Sequence, residues 1–96
     1  MDRSRLAVII PAHNEDATIG EIADRAASFG TVFVLDDCST DKTAAVAGAA
    51  GATVITNATN LGYDRNIDRG LAEADRAGFE AAVTIDADGE HDPELL

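Results

Sequence analysis

The chain has 96 residues, and 18 acidic against 7 basic side chains give it a formal net charge of -11 at pH 7. That balance excludes a nucleic-acid backbone or an anionic bilayer as the main partner, because both need clustered Lys and Arg, and here Lys42 is the only lysine. A single cysteine, Cys38, excludes an intrachain disulfide and a thiolate zinc site, and the length suits one domain with a shallow core of Val, Ile and Leu.

In chain order, Met1 to Arg5 lead into "LAVII" (6–10), a continuous β-branched run of the kind buried on both faces of a parallel sheet. Pro11 breaks that run too early for a signal peptide or a membrane span, so the expectation is a soluble, cytoplasmic chain. The acidic balance suits either a salt-rich cytosol or an ordinary acidic surface. "PAHNED" (11–16) follows, with Pro11 stiffening the exit and Asn14 able to donate and accept. Glu15 is a candidate acceptor for a ribose hydroxyl or a base, and equally a helix-entry acid favoured by the dipole. A helix is predicted from Ile19, Ile22, Ala23, Ala26 and Phe29, opened by a capping box of Thr18 and Glu21 and closed by Gly30.

"VFVLD" (32–36) reads as the second strand, and "DDCSTD" (36–41) ends it with paired acids. One of these carboxylates suits a nucleobase N–H, while Asp37 and Ser39 also suit a plain turn and cap. Ser39 or Thr40 is expected to cap a helix over about residues 41–50, leaving its first amides available, with Gly51 ending it. "ATVIT" (52–56) is the third strand, and "NATNLGYD" (57–64) supplies Asn60 and a permissive Gly62. A third helix over 66–77 would turn Ile67, Leu71 and Ala74 inward and Asp68, Arg69, Glu73 and Arg76 outward.

The last strand, "AAVTID" (81–86), runs into "DADGEHD" (86–92), where acids recur on every second residue. Carboxylates this close repel and raise one another's pKa unless something positive neutralises them. Asp86 and Asp88 suit Mg2+ or Mn2+, which use one or two carboxylates and take the rest of their shell from phosphates and water. A solvated acidic turn is the plain alternative. An EF-hand fails because His91 stands where that loop needs Gly and a strand precedes it. A phosphoacceptor receiver pocket fails for want of a Lys at a later strand end.

The string is therefore βαβαβαβ, and the expected fold is α/β, a Rossmann-like three-layer sandwich around a mostly parallel sheet. Ligands of such sheets bind outside the carboxyl ends of the strands, where all four polar loops fall. No repeat or linker interrupts residues 1–96, which read as a single unit.

With these motifs placed, "VIIPAHNEDATIGEI", "VLDDCSTDKTAAVA", "ATVITNATNLGY" and "DADGEHDPE" together resemble the start of a family 2 glycosyltransferase of the GT-A type, nearest the dolichyl-phosphate mannosyl- and glucosyltransferase branch. The resemblance covers essentially the whole chain, as the N-terminal, nucleotide-sugar-binding half of the domain. It implies that Pro11, Ala12 and Glu15 line a nucleotide pocket, that Asp37 binds the base, and that Asp86 lies near ribose, diphosphate and metal. Asp88 would be the principal ligand of a DxD motif for Mg2+ or Mn2+, with Glu90 assisting.

The implied reaction transfers a sugar from a UDP or GDP donor to a polyprenyl phosphate or glycan, in a longer form at the cytoplasmic face of a membrane. Its general base would lie past Leu96, so this half is expected to be inactive alone. A second copy of the chain is a candidate cover for the last strand's edge. The sequence departs from the branch at Glu90, where Gln is usual, at His13, where Tyr or Phe is common, and at Asp64, Arg65 and Asn66, where small residues are usual. The alternative reading is a non-catalytic nucleotide- or metal-binding α/β module.

Overall fold

In the computed structural model, which describes residues 5–87, the elements run β1 (Leu6–Ala12), α1 (Ile19–Ala26), β2 (Thr31–Asp36), α2 (Thr43–Ala49), β3 (Thr53–Thr56), α3 (Tyr63–Arg76) and β4 (Ala81–Thr84). The strands form one sheet in the order β3-β2-β1-β4, and every pairing is parallel. The expected α/β order is present, and the described sheet is parallel throughout. No helix among the described residues is long and apolar enough to cross a membrane.

Alternation along β1 and β2 explains the three layers, because successive side chains point to opposite faces. Val8, Ile10, Ala12, Val32 and Val34 meet Ile19, Ile22, Ala23 and Ala26 of α1 and Ala47 of α2. Ala7, Ile9, Phe33 and Leu35 form the other cluster with Ala74 of α3 and the half-buried Ile55 and Phe79. Phe33 and Phe79 pack edge to face, with ring centroids 5.5 Å apart. Both faces of β1 are thus buried, which is why it appears in the sequence as an unbroken apolar run.

β1 runs two residues past the expected exit, so Pro11 and Ala12 lie within it, paired with Leu35 and Asp36. A proline is tolerated in this central strand because of its parity. The Ala12 carbonyl accepts from Asp37 N–H on the β2 side, and the Ile9 carbonyl accepts from Ile85 N–H on the β4 side. Pro11 therefore turns its missing N–H toward β4, whose register ends at Ile9 with Thr84. The β1–β4 ladder stops there, because the next bond would need a Pro11 N–H, while the bonds to β2 are kept.

α3 starts at Tyr63, three residues earlier than expected, and its inward stripe is Asn66, Gly70 and Ala74. Leu71, expected inside, is 39% exposed, and Ile67 is half-buried. The reason is Gly70. A Cβ there would lie 2.5 Å from Ile9 Cγ2 and 2.9 Å from Leu35 Cδ2, so the missing side chain is what lets the helix sit on the sheet.

The expected caps also differ. Thr18 makes no side-chain cap, and Glu21 pairs with Arg25 at 3.5 Å instead of reaching back. The Glu15 carbonyl takes the Thr18 and Ile19 amides at 3.1 and 2.9 Å, which frees the Thr18 hydroxyl to donate to the Ala87 carbonyl. Neither Ser39 nor Thr40 caps α2; the Asp41 carboxylate accepts the Thr43 N–H at 2.9 Å.

Replacing Gly70 with Ala is expected to destabilise the protein by about 1–3 kcal/mol, since overpacking of Ile9 and Leu35 outweighs the better helix propensity of Ala. Urea unfolding followed by circular dichroism measures it, and an unchanged midpoint would show that α3 can lift from the sheet at no cost.

Candidate functional site

Because all four strands are parallel, the loops after them open on one edge of the sheet, and a cleft of about 290 Å³ lies there. Pro11, Ala12 and Glu15 line it from the end of β1, Asp37 from the end of β2, and Asp86 from beyond β4. These expected site residues are brought together as a group. Asp88 and Glu90 lie outside the described residues. His13, Asn60, Gly62, Tyr63 and Asn66 complete much of the wall.

Asp37 is 4% exposed. Its Oδ1 accepts from Asn57 Nδ2 at 2.9 Å and Leu61 N–H at 2.7 Å, and its Oδ2 accepts from Gly62 N–H at 2.9 Å. Burial pushes its carboxyl pKa up, but the Leu61 N–H, the Asn57 amide, the Gly62 N–H and the nearby His13 outweigh burial and hold it below the ordinary value. Gly62 reaches this position with φ of 88°, in the left-handed region that favours glycine. The flexible glycine of the third loop is therefore fastened to the second.

Behind Asp37 lies a buried polar network that sequence reasoning missed. Asn57 Nδ2 also donates to Asn66 Oδ1 at 2.8 Å, Asn66 Nδ2 donates to the Leu35 carbonyl at 2.8 Å, and Arg69 donates to Asn57 Oδ1 at 2.6 Å. Arg69, expected to point outward, points back toward the third loop. The available signal was a polar Asn66 on the otherwise small stripe that α3 turns to the sheet.

The first two loops are joined by polar side chains, among them Ser39, an expected helix cap. Asn14, at φ of 53°, donates its N–H to Ser39 Oγ at 2.9 Å, and its Oδ1 accepts from Thr40 N–H at 2.8 Å. Glu15 N–H donates to the buried Thr43 hydroxyl at 2.9 Å. Asp41 draws Asp16 N–H at 3.2 Å, and Asp16 accepts Lys42 N–H at 3.4 Å. The Lys42 and Thr43 amides at the start of α2 are thus bonded within the chain, where the sequence suggested amides left available. Burial raises the Asp41 pKa, but bonds from Thr43 and Asp16 lower it by more.

His13 stands on the cleft wall with Nδ1 2.7 Å from the Asp37 carbonyl, which can only accept, so Nδ1 carries the proton and donates. Its Nε2 faces Asn14 Nδ2 at 3.4 Å. Opposite, the Tyr63 hydroxyl donates to Asp86 Oδ1 at 2.8 Å. Tyr63 was not singled out from the sequence, although it directly follows the loop glycine. The described part of the cleft thus carries the acids Glu15, Asp37 and Asp86 and no Lys or Arg.

A family model described as glycosyl transferase family 2 matches residues 7–96. The chain belongs to that family. Among relatives of this glycosyl transferase family 2 chain, an uncharacterized protein of Methanocaldococcus jannaschii is 32% identical over 95 residues, 97% of this chain and 39% of that protein. Glucosyl-3-phosphoglycerate synthase from Mycobacterium tuberculosis, solved with Mn2+, UDP and glucosyl-3-phosphoglycerate, is 31% identical with a TM-score of 0.73, over 90% of this chain and 34% of that one. Mannosyl-3-phosphoglycerate synthase from Rubrobacter xylanophilus shares the fold, at 24% identity and a TM-score of 0.75, over 96% of this chain and 33% of that one. The chain spans well under half the length of each of these relatives.

A depressed carboxylate pKa contributes stability that is present above the unfolded value and lost as pH falls through the folded one. Asp37→Asn is therefore expected to cost about 1–3 kcal/mol at pH 7, because an amide cannot accept all three of those donors. The difference between variant and wild type should shrink as pH falls below about 4, the ordinary carboxylate value. Denaturant unfolding across that range checks the sign, and a difference that grows on acidification would exclude it.

Proposed function

We propose that this chain is the nucleotide-sugar-binding half of a metal-dependent glycosyltransferase that moves a sugar from a UDP or GDP donor to a polyprenyl phosphate or glycan acceptor. The observation that carries the reading is the cleft itself: it gathers Pro11, Ala12, Glu15, Asp37 and Asp86 at the carboxyl edge and lines its described part with acids and no Lys or Arg. A nucleoside diphosphate brought beside such a surface meets repulsion unless a cation joins it. The reading is supported by the relative solved with Mn2+ and UDP and also with Mg2+ and UDP.

The donor set fits such an ion. Carboxylate oxygen suits Mg2+ or Mn2+, whereas Cys38 is the only thiol in the chain. No group of three or more His, Cys, Asp or Glu that could hold an ion occurs among the described residues. Asp86 would therefore hold the ion together with Asp88, Glu90 and the diphosphate. The bound ion would supply charge stabilisation to the departing diphosphate. The chain's own part is to seat the base at Asp37, to present Glu15 to ribose or base hydrogen-bond donors, and to orient Asp86 through the Tyr63 hydroxyl.

Calorimetric titration of UDP and GDP, with and without Mn2+, tests the reading. Binding is expected to require the metal and to be lost in Asp88→Ala, and metal-independent binding would overturn the role given to the acids. Tyr63 is the only tyrosine and there is no tryptophan, so intrinsic emission reports on the neighbour of Asp86. Adding Mg2+ with UDP should shift that emission and EDTA should restore it; a flat signal despite measured binding would place the ion away from Asp86.

A further inference from the structure

We infer that Asn57 and Arg69, which do not line the cleft, set its base preference: they leave Asp37 able to take one N–H, which suits uracil and disfavours guanine. This inference rests on the reading of the cleft as a nucleotide-donor site.

An ionised carboxylate offers about four acceptor positions. On Asp37, Oδ1 already accepts from Asn57 Nδ2 and Leu61 N–H, and Oδ2 from Gly62 N–H. One position on Oδ2 is left, on a residue that lines the cleft. Guanine presents two adjacent donors, its ring N–H and its exocyclic amine, which pair with a carboxylate by using both oxygens. Here the amine would face an oxygen that two donors already occupy. Uracil presents a single ring N–H between two carbonyls. Asn60 has its own Oδ1 engaged by Gly62 N–H at 3.0 Å, so its NH2 is the end suited to a base carbonyl.

The filling of Oδ1 is enforced from α3. An arginine can only donate, so Arg69 at 2.6 Å requires the oxygen of the Asn57 amide and turns the NH2 end toward Asp37. Asn66 Oδ1 accepts the other hydrogen of that NH2, and Asn66 is itself held by the Leu35 carbonyl. The orientation of Asn57 is thereby fixed, and with it the number of bonds Asp37 can still accept. Asn57 determines specificity by occupying an acceptor, and Arg69 is a positioning residue that acts through it.

The test is competitive calorimetry of UDP, GDP and CDP with Mn2+ on the purified chain, its Asn57→Ala variant and the pair Arg69→Met and Arg69→Lys, each checked for folding by circular dichroism. UDP is expected to bind at least about tenfold more tightly than GDP, the factor expected from one unpaired donor at the low end of its usual cost. CDP, which lacks the ring N–H, should also be weaker than UDP. In Asn57→Ala the UDP to GDP ratio should fall several-fold through a gain for GDP. Arg69→Met should move the ratio in the same direction and Arg69→Lys should restore part of it, which keeps the test decisive if Asn57→Ala does not fold. Equal or tighter GDP binding by the wild type overturns this inference and leaves the donor-site reading standing. A wild-type preference that survives in every folded variant overturns the roles given to Asn57 and Arg69. Absence of metal-dependent binding by any nucleotide overturns the donor-site reading, and this inference with it.

Discussion

A carboxylate almost removed from water stays ionised only if hydrogen-bond donors replace the solvent, and Asp37 draws its donors from residues 57, 61 and 62. Those contacts fasten the loop after β3 to the end of β2. They hold Gly62 at the entrance to α3 and give the polar face of that helix a reason to lie against the sheet. If the Asp37 charge is removed, the donors lose their shared acceptor, and the side of the cleft formed by Asn60, Gly62 and Tyr63 loses its anchor. The residue proposed to read the base is thus also the residue that holds its own surroundings in place.

The opposite side of the cleft is held by a different device. Asn14 and Thr43 cross-link the loops after β1 and β2, and the Thr18 hydroxyl reaches the Ala87 carbonyl beyond β4. Each of these polar side chains spends its bonding capacity on a neighbouring loop, while backbone carbonyls and Asp41 serve the helix starts. Rigidity at the ligand edge therefore comes from bonds between loops, and the sheet supplies their spacing.

Much of this was legible in the chain. β1 and β2 announce themselves because burial on both faces leaves no polar residue to interrupt them, and parallel pairing then dictates that the four polar loops meet. What was misread has physical causes. Thr18, Ser39 and Thr40 have the chemistry of caps, but which acceptor or donor lies within reach is decided by loops distant in sequence. The phase of α3 was misjudged because a search for apolar residues passes over Gly70 and Asn66, one needed for its absence of bulk and the other for its amide. The partnership of Asn57 and Arg69 spans two elements and leaves no periodic trace. Asp88 and Glu90, the acids that made the last loop conspicuous, lie outside the described residues, so their part in the site stands on the sequence alone.

Strand order has a consequence for biosynthesis. Among the described residues β1 is the first strand and β4 the last, yet they are neighbours in the sheet. A chain emerging from the ribosome can pair β1, β2 and β3 and dock α1 and α2 before residues 81–84 exist. Asp86 cannot reach the Tyr63 hydroxyl until β4 has been made and has paired with β1. The scaffold can therefore precede the cleft in time, and a nascent chain acquires its ligand edge only when the last described strand arrives.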